Sequence, residues 1–443
     1  GRRVAGGNQM SVGRAGSDMT KRSIALIMMA ALALAATPRD ALARPPAAPP
    51  IEPVRIDKAR IDAALAAMVD SGRAVGVTAL VWQDGQERYF GAAGMADREQ
   101  GRPMGRDTLV QIFSMTKPVT GVALMQLWEQ GRFSLDDPLA RYLPEFAAVK
   151  VIDGRGGLRP PSRPIIIRDI MRHTAGFSYG MRETQADAAF RAADPLNNAN
   201  DLSEFGRRLA SVPLMFDPGE QWSYSAAVDV QALLVEKLSG QPFEAYVKGH
   251  ILEPLGMKQT GWTQPQDAFP RLAATYNKGV DGKLARQSDA ETRSLNFDAA
   301  RRLTMGGAGL VASIDDYARF SRMLLAGGAL DGVRILAPST VRLMATNQLD
   351  PQVTDRWWLP SKGSVGFGLD FAVRQSPPQT PEENRGAVGE FFWDGRDSTL
   401  FWVDPSNHLT VVFFVQTFPF DGTLHHDLRD AVYGPTYQGP PGD

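Results

Sequence analysis

Cysteine is absent from the 443 residues, which excludes disulfides, thiolate nucleophiles and cysteine-ligated zinc. Histidine is scarce: the five residues His173, His250, His408, His425 and His426 show no H-E-x-x-H or comparable spacing, so no metal site is expected. No basic block longer than a few residues occurs and the net charge is −1, so a nucleic acid or an anionic membrane surface finds no electrostatic footprint. Long apolar runs are missing too. The longest, Ser23 to Ala36, is too short to span a bilayer comfortably. It follows Lys21-Arg22 and precedes the small-residue triplet Ala41-Leu42-Ala43, the pattern of a cleaved export signal beginning near Met19. The expectation is an exported, periplasmic protein with no membrane insertion after cleavage.

What remains is ordinary globular composition, 43% hydrophobic and 22% charged, with ample core for one large domain or two to three smaller ones. Ala43 to Pro53 is rich in Pro and Ala and reads as a linker. Ile56, Ile61, Leu65 and Met68 recur at helical spacing. Val75 to Trp82 and Arg88 to Gly91, joined by Asp84-Gly85, read as a β-hairpin. Residues 130 to 300 are mostly helix and loop, with helices at Ile167 to Arg172 and Ala226 to Lys237, the latter stopping at Gly240. A capped helix starts at Ser313-Ile314-Asp315-Asp316 and stops at Gly327-Gly328. Strands are expected at Ala387 to Trp393, Thr399 to Val403 and Leu409 to Gln416, before a last helix at Leu424 to Val432. Strands at both ends and helices between suggest three parts. These are a leader at 1–43, an α/β domain from 44–125 and 301–443, and an inserted helical domain at 126–300 with the site at the interface.

Chemistry enters at Ser114-Met115-Thr116-Lys117, where Ser114 is the only serine followed three residues later by lysine. Residues three apart on a helix share a face, so the amine can reach the hydroxyl. A serine needs a base, and lysine serves as one only once its pKa has been lowered. Pro118 belongs in a first turn, so the helix is expected to begin close to Ser114 and run to about Gly131. That places the hydroxyl at the positive end of the dipole. Tyr224, in Gln221-Trp222-Ser223-Tyr224-Ser225-Ala226, is a second candidate, as phenolate base or as relay to a leaving group. Trp393-Asp394-Gly395 ends a strand, where a glycine permits close approach of substrate and the next N–H can face a developing oxyanion. Gly176-Phe177-Ser178-Tyr179-Gly180 also fits the nucleophile elbow G-x-S-x-G, but that motif needs a strand before it, and the preceding segment reads as helix. A loop lining the cleft is the expectation there.

In this order, S-x-x-K, Y-S-x and W-x-G resemble the serine β-lactamase and penicillin-binding protein superfamily, above all its family VIII carboxylesterases, which look like class C β-lactamases. Leu135-Asp136-Asp137-Pro138, His173-Thr174-Ala175-Gly176, Pro254-Leu255-Gly256-Met257, Gly306-Gly307-Ala308-Gly309-Leu310 and Phe401-Trp402-Val403-Asp404-Pro405 extend the likeness over roughly residues 55 to 420. The resemblance implies a β-lactamase/transpeptidase-like fold of α/β plus all-α type, an antiparallel sheet flanked by helices with an inserted helical domain. It implies Ser114 as nucleophile and Lys117 and Tyr224 as the proton-transfer pair, with the order of their roles open. It also implies Trp393 and Gly395 on the substrate-binding strand, the backbone N–H groups of Ser114 and Arg396 as oxyanion hole, and no metal or organic cofactor. Against the superfamily pattern, Trp393 stands where a carboxylate-binding lysine would, and Ala226 where an asparagine would. Losing a charge-assisted bond disfavours anionic substrates by a few kcal/mol. A small-molecule ester of short to medium acyl chain is therefore expected, ahead of β-lactam or D,D-peptide cleavage and of a non-enzymatic penicillin-recognising binder. Arg396-Asp397-Ser398 departs from the small residues usual after W-x-G; Arg396 either pairs locally or restores positive charge at the cleft.

Overall fold

In the computed structural model, residues 53–439 are described; the leader, export signal and most of the linker expected from the sequence lie outside them. The described residues fall in one compact unit. An eight-stranded sheet is assembled from both ends of the chain. Its N-terminal strands are β1 (Gly76–Gln83), β2 (Gln86–Asp97) and β3 (Arg102–Pro103). Its C-terminal strands are β4 (Val365–Phe367), β5 (Ala372–Arg374), β6 (Phe391–Asp394), β7 (Leu400–Asp404) and β8 (Leu409–Val415). The spatial order is β4-β5-β6-β7-β8-β1-β2-β3 with every pairing antiparallel. The first and last thirds join where Val77 of β1 faces Val415 of β8. All seven residues of β8 are buried, so both of its faces are covered, as its apolar run Val411 to Val415 requires.

Six helices frame the sheet and the site: α1 (Lys58–Asp70), α2 (Thr116–Glu129), α3 (Ile167–Arg172), α4 (Ala227–Ser239), α5 (Ile314–Leu325) and α6 (Gly422–Tyr433). Helix α1 starts where the Asp57 carboxylate accepts the Arg60 N–H, and it buries Ile61, Leu65 and Met68 against the hairpin, with α6 beside it. Helix α5 starts at Ser313, whose Oγ accepts the Asp316 N–H at 3.2 Å, and packs across β1, β7 and β8. Helix α4 ends on Gly240 at φ 70°, a left-handed stop that glycine adopts without strain. Helices α2 and α4 are buried all round, from Thr116 to Met125 and from Ala227 to Val235, and they pack on each other. Helices with no polar face belong in a core, and these two hold the candidate residues at their N-terminal ends.

Three expectations needed adjustment. Ser114 does not open the α-helix; it sits in a 3₁₀ turn, Phe113–Met115, and α2 begins at Thr116 with Pro118 in its first turn. The hairpin's second strand runs on to Asp97, well past Gly91. The strand expected from Ala387 begins only at Phe391. Gly389 turns the chain at φ 86°, and Glu390 is drawn into a buried ion-pair cluster with Arg374 (2.8 Å) and Arg429 (2.9 Å). Among the described residues no helix is long and apolar enough to cross a membrane.

Candidate active site

The 3₁₀ turn carrying Ser114 is pinned from several sides. Phe113 takes φ 44°, a conformation that bulky side chains rarely adopt, and this turns the chain sharply just before the hydroxyl. The Tyr317 hydroxyl of α5 donates to the Met115 carbonyl at 2.7 Å, and Thr116 Oγ1 accepts the Leu310 N–H at 3.1 Å. Lys117 follows in the first turn of α2, and its Nζ lies 3.1 Å from Ser114 Oγ. The same nitrogen lies 3.1 Å from the Tyr179 hydroxyl and donates to the Gly307 carbonyl at 2.8 Å. Tyr224, just before α4, brings its ring beneath the amine, with Nζ 4.5 Å from the ring centroid. Its hydroxyl accepts the Trp393 indole N–H at 3.1 Å.

The electrostatics follow from burial. Lys117 is almost wholly inaccessible, and loss of solvation brings its pKa down to about 8. The carboxylates of Asp229, Asp370 and Asp394 oppose that fall. Asp229 and Asp370 are themselves pushed up by burial, Asp229 to about 6 and Asp370 well above the usual carboxylate range. Asp229 Oδ1 accepts the Gly307 N–H at 3.1 Å, so one glycine links this carboxylate to the lysine amine. Burial likewise raises the Tyr224 phenol far above 10, although the nearby Ser114 hydroxyl and Trp393 N–H draw it down somewhat. Tyr179 moves up for the same reason. Both tyrosines are therefore phenols near neutral pH, while the amine has a minor neutral fraction that grows as the pH rises through about 8. His173 lies behind Tyr224 with its ring centroid 5.0 Å away, and burial holds it neutral.

A cavity of about 300 Å³ opens over Ser114, bounded by Met181, Tyr224, Trp358, Ser361, Lys362, Asp394, Gly395, Arg396 and Phe420. Met181 and Phe420 are exposed apolar side chains at its mouth. Among the described residues, neither the Ser114 nor the Arg396 backbone N–H finds a protein acceptor. Trp393 is buried and does not line the cavity; its indole spends its hydrogen bond on Tyr224. Gly395 is needed for a reason internal to the protein. A Cβ there would stand 2.2 Å from Thr399 Oγ1 and 2.6 Å from the Ile112 carbonyl, so the strand end could not close on the Ser114 turn. The Arg396 guanidinium lies between the Phe113 and Phe418 rings (4.3 and 4.4 Å) and its Nε donates to Asp397 at 3.0 Å. Lys362, unremarked in the sequence, donates from Nζ to Asp394 Oδ2 at 2.5 Å at the cavity wall.

Ser178 is placed elsewhere. Its Oγ donates to Asp187 at 2.6 Å and accepts the Gly180 N–H at 2.8 Å, which stitches its own loop together. The neighbouring Tyr179 is what reaches the lysine, and the sequence reading passed over it. Its only signal was an aromatic hydroxyl in a segment already expected to line the cleft. Asp229 was missed as well, because an acidic residue in a helix's first turn reads as dipole compensation. Among the described residues no group of three His, Asp or Glu side chains is arranged to hold a metal ion.

An SxxK serine, a buried amine of lowered pKa and a phenol gathered at the end of an antiparallel sheet define the serine hydrolases of β-lactamase/transpeptidase-like fold. Comparison with known proteins agrees: the Beta-lactamase family model matches residues 61–433. Esterase EstB of Burkholderia gladioli is 32% identical over 403 residues, covering 85% of this chain and 95% of that protein. The solved structure of EstCE1, a hydrolase with promiscuous acyltransferase activity, superimposes with TM-score 0.73 at 28% identity, covering 85% of this chain and 98% of that one. Simvastatin synthase (LovD) from Aspergillus terreus gives TM-score 0.72 at 25% identity over 86% of this chain and 98% of its own. The chain belongs to the Beta-lactamase family, on its esterase-like branch of the serine β-lactamase and penicillin-binding protein superfamily.

Proposed function

We propose that this protein is a carboxylesterase that cleaves neutral esters of short to medium acyl chain through a Ser114 acyl-enzyme. The observation that carries the reading is the set of contacts around the Lys117 amine. A neutral amine has two N–H bonds and one lone pair. The Gly307 carbonyl and the Tyr179 oxygen are placed to take the two N–H bonds, which leaves the lone pair for the Ser114 hydroxyl proton 3.1 Å away. With its pKa near 8, Lys117 is the base available near neutral pH, while the raised Tyr224 phenol stays protonated and can only relay a proton.

In this mechanism the ester carbonyl oxygen enters between the Ser114 and Arg396 N–H groups. Lys117 takes the Oγ proton as Oγ bonds to the carbonyl carbon, and negative charge gathers on the held oxygen. When the tetrahedral intermediate collapses, the bond to the alcohol oxygen breaks. The proton taken by Lys117 passes to that oxygen, with the Tyr224 hydroxyl as relay. Water then attacks the acyl-enzyme by the reverse route, and acid is released. The apolar mouth formed by Met181 and Phe420 and the absence of a lysine at Trp393 favour a neutral acyl group over a penicillin or a peptidoglycan stem. The names of the relatives, an esterase and a hydrolase with acyltransferase activity, support acyl transfer as the reaction class. The export signal read between residues 19 and 43 makes the periplasm the proposed site of action.

The test is a p-nitrophenyl phosphonate. Stoichiometric labelling located on Ser114 by peptide mass spectrometry, with multiple turnovers on p-nitrophenyl esters and little on a chromogenic cephalosporin, is the expected result. Labelling of Ser178, or a cephalosporin turned over faster than the esters, would overturn it.

A further inference from the structure

A second and larger cavity, of about 800 Å³, lies against the first on the side of α6. Ser361, Lys362, Asp394 and Phe420 line both, so these four residues are a shared wall. The wall exists because the sheet is incomplete there. Strand β5 pairs only with Phe391 and Phe392 of β6, which leaves Trp393 and Asp394 without a strand neighbour on that side. The 3₁₀ turn Leu359–Lys362 comes up to this gap and sends the Lys362 side chain into it. The ammonium is held by Asp394 at 2.5 Å and lies over the Phe420, Trp358 and Trp393 rings at 4.1, 5.1 and 5.5 Å. Its side chain is only one-tenth exposed, as is that of Asp394, so one anion and three aromatic faces fix this long side chain in one place.

We propose that Lys362 is a specificity-determining residue: its stem is the partition that confines the acyl group to the smaller cavity, so that the protein takes esters of small acyl groups and excludes long ones. This rests on the esterase reading above and adds to it the residue that sets the size limit. Removing the stem would join the two cavities. The larger one has apolar surface from Phe392, Leu400 and Phe420 and carries the Glu382 and Glu383 carboxylates on its wall, so a long chain ending in an ammonium group suits it.

The experiment compares kcat/KM for p-nitrophenyl acetate and p-nitrophenyl 8-aminooctanoate in the wild type, Lys362→Ala and Lys362→Met. The expected result is that Lys362→Ala raises the long-to-short ratio by roughly tenfold or more, the scale on which pocket size discriminates substrates. Lys362→Met, which keeps the bulk and drops the charge, should stay near the wild-type ratio. Because Lys362→Ala leaves Asp394 unpaired in a half-closed site, the double variant Lys362→Ala/Asp394→Ala is made beside it, and the same rise is expected of it. An unchanged ratio in the Ala variants, or an equal rise in Lys362→Met, overturns the partition while leaving the esterase intact. A wild type without ester turnover overturns both.

Discussion

Replacing Asp229 by Asn should move the pH dependence of the enzyme downward. Asp229 and Lys117 meet across a single residue: Gly307 donates its N–H to the carboxylate at 3.1 Å and accepts from the amine at 2.8 Å. Asp229 titrates near 6 and Lys117 near 8, so the carboxylate is charged throughout the range in which the lysine loses its proton. The Asp229 charge favours the ammonium, and a neighbouring opposite charge is worth about 1–3 pKa units. Asparagine keeps an oxygen for the Gly307 N–H, so the perturbation is electrostatic and not steric. With the opposing charge gone, desolvation acts on Lys117 with less resistance. Its pKa should then fall by at least about one unit, equivalent to about 1.4 kcal/mol of differential stabilisation. The assay is kcat/KM for p-nitrophenyl acetate across the neutral and alkaline range, corrected for spontaneous hydrolysis; this parameter reports groups of the free enzyme. For the wild type, activity should climb with pH through about 8, as the amine becomes neutral. In Asp229→Asn the climb should be centred lower and activity at neutral pH should hold up or increase relative to its own plateau. An acid limb that stays near 8, or moves up, would refute the claim that Lys117 is the base tuned by this carboxylate.

Other outcomes follow from the same contacts. Ser114→Ala should abolish ester turnover, whereas Ser178→Ala should retain most of it and lower thermal stability by about 1–3 kcal/mol, the loss of two buried hydrogen bonds, read by calorimetry. Arg396→Ala should leave the preference between neutral and carboxylate-bearing esters within about twofold, because its guanidinium is already paired with Asp397 and stacked between two rings. A larger change in the ratio of kcat/KM values would mean that Arg396 steers charged substrate. Glu390→Gln should destabilise the fold by about 3–5 kcal/mol in urea unfolding, since two buried arginines, Arg374 and Arg429, lose the carboxylate they share.

The parts of this molecule that were legible in its sequence are those governed by local rules. Serine and lysine three apart, proline in a first turn, Ser313 before an acidic pair and Gly240 after an apolar run each encode a short piece of geometry. The family pattern then carried the sheet and the neighbourhood of Tyr224. What escaped were pairings made by the return of a distant loop. Tyr179 meets Lys117 only because the segment after α3 folds back over the helix, and no periodicity encodes that return. The G-x-S-x-G frame drew the eye to Ser178 when the useful hydroxyl was one residue on. Lys362 and Asp394 find each other through a gap left by an unpaired strand end, which depends on where β5 stops. The strand expected from Ala387 failed because an apolar segment next to a glutamate does not reveal that the glutamate serves two arginines. The glycine of W-x-G, read as room for substrate, does line the cavity, but what its missing Cβ makes room for is Thr399 and the Ile112 carbonyl, which no local pattern announces.

The seam between Val77 and Val415 has a consequence for how the molecule comes into being. During synthesis the hairpin of β1 and β2 leaves the ribosome well before β8, the neighbour it needs. Until then an apolar strand edge has nothing to pair with, a state that invites self-association. Chains terminated before Leu409 would inherit that open edge permanently, and contacts so distant in sequence make its closure slow.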